Sequence, residues 1–200
     1  MKMKKLLLTL TPLFLFTGCA LTKSHVSLEY KSPMEASTIP EAENVHTALH
    51  VTDSRNDKKV VGHKKNGYGM QMASIHSKED VATFLQNSIT LELEKRGFQV
   101  NQTNLPHLHI DIELLKFYND YKIGYFTADA NSEVIFTIKV TDKENKIAYS
   151  RNINAQGTEG YNLLMGGKNA KLSLEDAVQS ALKELFEDKA FLTALLPQTN

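Results

Sequence analysis

Two histidines separated by one residue, His107 and His109, have the type and spacing that suit metal chemistry. Residues i and i+2 of an extended strand project from the same face, so both imidazoles could reach one ion. Asp111 and Glu113 continue the same row. The same alternation is also typical of the solvent-facing side of a half-buried strand. Because the sequence places no further ligand beside the pair, we predict no metal site and keep metal binding or enzymatic use of this face as the alternative function.

Other short patterns that could support catalysis are incomplete. Gly167-Lys168 resembles the end of a phosphate-binding loop, but Asn162 stands where the first glycine is required and Asn169 stands where Ser or Thr is required. The chain also has no Gly-x-Ser-x-Gly nucleophile motif. We therefore predict no catalytic residue, no cofactor and no enzymatic activity.

The only cysteine, Cys19, ends an N-terminal segment that is organised like a signal peptide. Three lysines precede a mostly apolar stretch over residues 6–17, and the small residues Thr17 and Gly18 come directly before Cys19. The stretch is well short of the roughly 20 residues that span a bilayer core. We predict that a signal peptide over residues 1–18 is removed and that Cys19 becomes a lipid-carrying N-terminus. The alternative is an ordinary secretory signal that is cut elsewhere.

This N-terminal pattern resembles the signals of bacterial lipoproteins. The resemblance implies a thioether-linked diacylglycerol on Cys19 and an additional N-linked acyl chain such as palmitate. Ala20 is not the aspartate that marks retention in the inner membrane of enteric-type bacteria. The resemblance therefore implies an outer-membrane lipoprotein that faces the periplasm.

The composition excludes some classes of partner. The chain has 23 Lys and Arg residues and 23 Asp and Glu residues, and removal of residues 1–18 takes away three of the lysines. The remaining chain is slightly acidic and has no clustered basic face, so we predict no nucleic-acid binding. With Cys19 acylated no thiol remains, and the fold must form without a disulfide.

The pattern of apolar residues predicts a single α+β domain over residues 45–200, preceded by a lipidated N-terminus and tether over residues 19–44. An antiparallel or mixed sheet is expected, with two main helices packed on one face. Strands are predicted at 45–52, 60–61, 98–100, 107–117, 133–142 and 147–156, with a short edge strand possible at 26–30. Helices are predicted at 78–96, capped by Ser77 and ended by Gly97, at 174–186, capped by Ser173, and at 190–196. The segments 57–76 and 157–172 are predicted as loops.

The ordered set of elements resembles the YajG family of uncharacterised bacterial lipoproteins. The matching segments are Val51-Thr52-Asp53-Ser54-Arg55 at a strand end, Leu93-Glu94-Lys95-Arg96-Gly97-Phe98-Gln99-Val100 at a helix end, and the closing helix from Leu174 to Leu185. The resemblance covers nearly the whole chain and implies a periplasm-facing outer-membrane lipoprotein. It supplies no functional residue except Cys19.

Two apolar clusters in polar surroundings predict a surface for a partner. Aromatic residues and methionine are enriched in protein interfaces. The candidate contact residues are Tyr118, Tyr121, Tyr125, Tyr161, Leu163, Leu164 and Met165. The alternative is that both clusters lie under the domain. We expect an anchored lipoprotein whose domain binds or scaffolds a protein of an envelope complex.

Overall fold

The computed structural model describes residues 22–102, 105–162 and 165–196. Eight strands are present in this part of the chain: β1 Ser24–Val26, β2 His46–Asp53, β3 Val60–Lys65, β4 Gln71–Ser77, β5 Gln99–Val100, β6 Leu108–Ile123, β7 Ala128–Asp142 and β8 Ile147–Asn162. The helices are α1 Val81–Lys95, α2 Gly167–Glu187 and α3 Lys189–Ala194, and a 3-10 turn lies at Ala42–Asn44. No described helix is both long and apolar enough to cross a bilayer.

The long strand β6 is the centre of one mixed sheet. On one side it pairs with β7, which pairs with β8, and these three strands form an antiparallel meander. On its other side β6 has two neighbouring strands, which pair with successive halves of its length. The first half pairs in parallel with β2, from Leu108 to Leu114, and the second half pairs with β3 through Gly62 and Asn119. The sheet therefore forks, with β5 beyond β2 and with β4 and β1 beyond β3.

The helices cover one face of this sheet, as predicted. α1 packs on β2 and β5, and α2 packs on β6, β7 and β8. Alternate strand residues point into the space between the layers, including Leu108, Ile110, Ile112 and Leu114 of β6. No described helix packs on the other face, which we call the open face.

A bulge interrupts this alternation in the middle of β6. Leu114 pairs with Phe136 and Lys116 pairs with Ile135, so Leu115 has no partner residue on β7. Leu114 and Phe117 are both buried, whereas Leu115 is 42% exposed. Because one extra residue is inserted, every side chain after Leu115 changes face relative to a regular strand.

The first helix begins later than the predicted Lys78. Asp80 is its N-cap, and the Asp80 carboxylate accepts a hydrogen bond from the Thr83 amide at 2.8 Å. Ser77 is instead the last residue of β4. The predicted helix end is confirmed: Gly97 has φ 98°, its amide donates to the Glu94 carbonyl at 3.0 Å, and the Phe98 amide donates to the Leu93 carbonyl at 3.2 Å. These bonds form a Schellman motif.

The predicted loop over residues 157–172 is wrong. β8 continues to Asn162 and α2 already begins at Gly167, so Ser173 lies inside the helix and not at its N-cap. Gly157 has a packing role, because a Cβ atom there would lie 2.2 Å from the Ser173 carbonyl oxygen. The absence of a side chain allows α2 to approach β8 closely.

The predicted loop over residues 57–76 contains the β3–β4 hairpin. The Asn66 side-chain oxygen closes its turn by accepting from the amides of Tyr68 and Met70. The segment 22–44 is not a solvated linker either. β1 pairs with β4, Val26 and Leu28 are buried, and the 3-10 turn contacts β5, so this segment is part of the domain.

Candidate functional site

A notch in the sheet lies where the two neighbours of β6 meet. β2 stops opposite Leu114, and β3 joins β6 at Asn119. The residues between these two positions have no pairing strand on that side among the described residues. We call this place, on the open face around the bulged Leu115, the notch.

Arg55 fixes the loop that borders the notch. Its Nε and Nη2 atoms donate to the Asp53 carboxylate at 2.9 and 2.7 Å. The same guanidinium donates to the carbonyl oxygens of Lys58 at 2.8 Å and Phe117 at 3.1 Å. A bidentate pair with further backbone bonds holds one geometry. Asp53 and Arg55 of the family-like segment thus have a structural role here.

The notch is a cavity of about 420 Å³ with apolar and polar walls. Its lining includes Asp57, Val60, His63, Leu115, Lys116 and Tyr118. The Tyr118 hydroxyl lies 2.8 Å from His63 Nδ1. Burial, followed by the negative charge of Asp120, raises the pKa of Tyr118, so its phenol stays neutral at neutral pH. Lys116 forms an ion pair with Glu133. The notch thus places an exposed apolar side chain beside a phenol and an ammonium group.

The structure separates the aromatic residues predicted as contacts. Tyr118 lines the notch, and Tyr125 is 93% exposed beside Phe126 in the β6–β7 turn. Tyr121 is only 2% exposed, and its hydroxyl donates to the Gly166 carbonyl at 2.6 Å. Burial raises the pKa of Tyr121 to about 12. The prediction of Tyr121 as a partner contact is therefore wrong, because its side chain belongs to the core.

The second predicted contact cluster is only partly described. Met165 is partly buried and packs against the core. Tyr161 belongs to β8, but its side chain lies outside the described part of the structure, as do Leu163 and Leu164. Cys19 also lies outside the described residues.

One imidazole of the predicted histidine pair is already engaged in a hydrogen bond. His107 Nδ1 accepts a hydrogen bond from the His46 amide at 3.1 Å. In the neutral ring the proton is then on Nε2, so neither nitrogen offers a free lone pair to an ion. Within residues 22–102, 105–162 and 165–196, no three His, Cys, Asp or Glu side chains are grouped to hold a metal.

A buried polar cluster joins α2 to the sheet and has no counterpart in our sequence predictions. Asn119 Nδ2 donates to Ser173 Oγ at 2.9 Å and to Ser132 Oγ at 3.2 Å, and the two serine oxygens are 2.6 Å apart. All three residues are at most 2% exposed. Ser132 occupies an inward-facing position of β7, between the inward-facing residues Ala130 and Val134. A serine in this apolar row is the sequence signal that could have revealed the cluster. These hydrogen bonds fix the position of α2 on the sheet.

Solved structures with the same fold come from other bacteria. A Xanthomonas campestris protein of the DUF330 family superposes with a TM-score of 0.58 at 12% identity, covering 86% of this chain and 95% of the other. A Helicobacter pylori protein described as a neuraminyllactose-binding hemagglutinin homologue gives 0.53 at 12% identity, with 85% and 96% covered. At such identities the likeness concerns the fold alone. No curated protein matches the sequence significantly.

The family assignment comes from the sequence. A family model of uncharacterised lipoproteins matches residues 32–196, which is most of the chain and nearly all of the described domain. This match agrees with the strand, helix and turn segments that carried the resemblance. The protein therefore belongs to the YajG family of uncharacterised bacterial lipoproteins.

Proposed function

We propose that this protein is a non-enzymatic outer-membrane lipoprotein, anchored through acylated Cys19, whose periplasmic domain binds a protein of the cell envelope through the notch. The observation that carries the binding role is the exposed Leu115 between polar groups on a rigid frame. Leu115 is 42% exposed and is flanked by Lys116 and by the Tyr118–His63 pair. Binding sites of this kind combine an apolar anchor position with polar groups that set orientation.

The notch is held in place on both sides, so a partner segment can bind without a large change in its conformation. Arg55 fixes the loop on one side, and the paired strands β6 and β7 fix the other. A preorganised site loses little conformational entropy when a partner segment enters. Tyr118 contributes a rigid ring and a neutral hydroxyl that can donate or accept a hydrogen bond.

The residues around Cys19 and the lipoprotein family support the proposed anchor. One acyl chain gives only marginal membrane binding, whereas several chains make release negligible. We therefore expect the wild-type protein to sediment with outer membranes and Cys19→Ser to be recovered in the periplasmic fraction. Ala20→Asp is the matched variant, since it keeps the acylation position and should shift the protein to the inner membrane. Membrane flotation of Cys19→Ser equal to that of the wild type would exclude this anchor.

The notch is tested by site-specific photocrosslinking in intact cells. A photoreactive amino acid in place of Leu115 should give one discrete crosslinked band. The same residue at Leu172, which is 38% exposed on α2, is the matched control and should not give that band. Tyr118→Ala should weaken the Leu115 band while the melting temperature changes little. An identical band from both positions, or no band from Leu115, would contradict the proposed binding surface.

A further inference from the structure

Two hairpin turns at one end of the sheet expose large apolar side chains. The β3–β4 turn exposes Tyr68 at 92% and Met70 at 58%. The β6–β7 turn exposes Tyr125 at 93% and Phe126 at 83%, with their rings in T-shaped contact at 4.6 Å. We call these four residues the apolar tip. Side chains of this size in contact with water are typical of an interaction surface.

The two turns lie side by side. A Cβ atom on Gly69 would lie 3.8 Å from Ile123 Cδ1, at the end of β6. Lys65, at the end of β3, donates to the Tyr121 carbonyl at 3.0 Å and forms an ion pair with Asp120 at 2.6 Å. These cross-connections hold the two turns together, so the apolar tip is one surface.

The chain enters the domain at this same end. The Thr22 carbonyl accepts a hydrogen bond from Lys64 Nζ at 2.9 Å. β1 runs parallel to β4 with Ser24 opposite Ile75, so the direction back from Ser24 leads towards Met70. Cys19 precedes Thr22 by three residues, which span at most about 10 Å. The three residues from Ala73 back to Met70 cover a similar distance of about 10 Å. The connection from Thr22 to Cys19 is therefore about as long as the distance from Ala73 to the tip residue Met70.

We propose that the apolar tip inserts into the phospholipid interface beside the lipidated Cys19. This inference rests on the proposed anchor, because the short connection between Cys19 and β1 brings the tip to the membrane surface. Tyrosine and phenylalanine suit that position, since an amphipathic or apolar ring gains free energy at the boundary of headgroups and acyl chains. The membrane is favoured over a protein partner because the anchor leaves little room for a protein layer between the tip and the bilayer.

Insertion fixes the orientation of the domain. The strands β6 and β7 run away from the tip, so the β7–β8 turn at 143–146 lies at the far end of the sheet. Lys122 is exposed just before the β6–β7 turn, and Lys23 is exposed directly after Thr22, so both can contact lipid phosphates at this end. The notch then faces sideways above the membrane, where a periplasmic partner can reach it.

Fluorescence tests the insertion directly because the chain contains no tryptophan. Lipidated Phe126→Trp is reconstituted into phosphatidylethanolamine–phosphatidylglycerol vesicles with and without brominated acyl chains. We expect a blue-shifted emission and at least twofold quenching by the brominated lipid. Lipidated Ile147→Trp is the matched control, since Ile147 is 58% exposed at the far end, and its emission should not change.

The outcomes separate the two proposals. If the protein floats with the vesicles but the tryptophan at position 126 is not quenched, the tip does not insert and the anchor stands. Equal quenching at positions 126 and 147 also overturns the insertion of the tip, because the domain then lacks the expected orientation. If the acylated protein does not float at all, both the anchor and the insertion are wrong.

Discussion

Arg96 Nη1 lies 2.7 Å from Glu92 Oε2 in an ion pair between successive turns of α1, and the Glu92 side chain is 0% exposed. The Tyr30 hydroxyl donates to Glu92 Oε1 at 2.8 Å, and the Arg96 guanidinium lies over the Phe186 ring at 4.4 Å. This pair therefore joins the N-terminal segment, α1 and α2. Because both ions are buried, the removal of one partner leaves an uncompensated charge.

Glu92→Gln should lower the free energy of unfolding by about 3–5 kcal/mol, because Arg96 keeps its charge in a buried site. Urea unfolding followed by circular dichroism measures this loss. Glu94→Gln is the matched control, since Glu94 is exposed on the same helix and should change stability by less than about 0.5 kcal/mol. Equal effects of the two substitutions would show that the buried pair has no special role.

Acid should destabilise the protein partly through Glu92. Burial opposes its ionisation, but hydrogen bonds from Ser32, Arg96 and Tyr30 outweigh burial and lower the pKa of Glu92. Glutamate in an unfolded chain has a pKa of about 4.3. The stabilisation is thus fully present above that pH and is lost as the pH falls through the lower folded pKa. Unfolding free energies measured between about pH 3 and pH 7 should fall less steeply at the acid end for Glu92→Gln, and identical slopes would exclude this origin.

Gly97→Val should lower stability by more than the roughly 1 kcal/mol of a propensity change, because φ is 98° and a β-branched residue resists that conformation. A Cβ atom would also lie 3.0 Å from Thr38 Cγ2. Thermal melting measures the effect. Gly67→Val is the matched control, because Gly67 has no positive φ and its Cβ position is open. A neutral melting temperature for Gly97→Val would contradict the left-handed helix end.

Gly157→Ala should displace α2 from β8, because the new methyl group would lie 2.2 Å from the Ser173 carbonyl oxygen and 2.3 Å from the Ala177 amide nitrogen. Overpacking against backbone costs typically about 1–3 kcal/mol, sometimes more. Gly160→Ala, whose methyl group would approach only the Asp129 side chain, at 3.4 Å, should be tolerated. The melting temperatures of the two variants test this prediction, and equal values would show that α2 can move away from β8 without a loss of stability.

The sequence was informative where a strand is buried on one face only. Strands β6, β7 and β8 alternate over many residues, so their inward side chains follow from period two. The β3–β4 hairpin was missed because register shifts between Val60 and Gly62 and between Lys64 and Lys65 interrupt the alternation. The docking of the N-terminal segment was missed because its partners are distant in sequence: the Leu28 amide donates to Glu79 and the Glu29 amide donates to Glu175.

The error at the candidate site has two causes. The sequence predicts a strand end at residue 117, whereas β6 continues to Ile123, and the bulge then decides which face each side chain takes. In a regular strand that continues from Leu114, Tyr118 would point inward and Tyr121 outward. The extra residue Leu115 reverses the faces on which these two side chains lie, so that Tyr118 lines the notch and Tyr121 lies in the core. A one-residue shift of this kind leaves no clear mark in composition or charge, because Leu115 is itself apolar.

The fork in the sheet has a consequence for amide hydrogen exchange. The backbone of β3 pairs with β6 at one position, Gly62 with Asn119, and the other bonds between these two strands come from side chains such as Lys65. β7, in contrast, is paired with β6 along nearly its whole length. Regions with few main-chain connections open at a lower free energy than the global unfolding. The amides of the β3–β4 hairpin should therefore exchange through a separate partial opening, which breaks the Lys65 bonds to β6 while the meander stays folded.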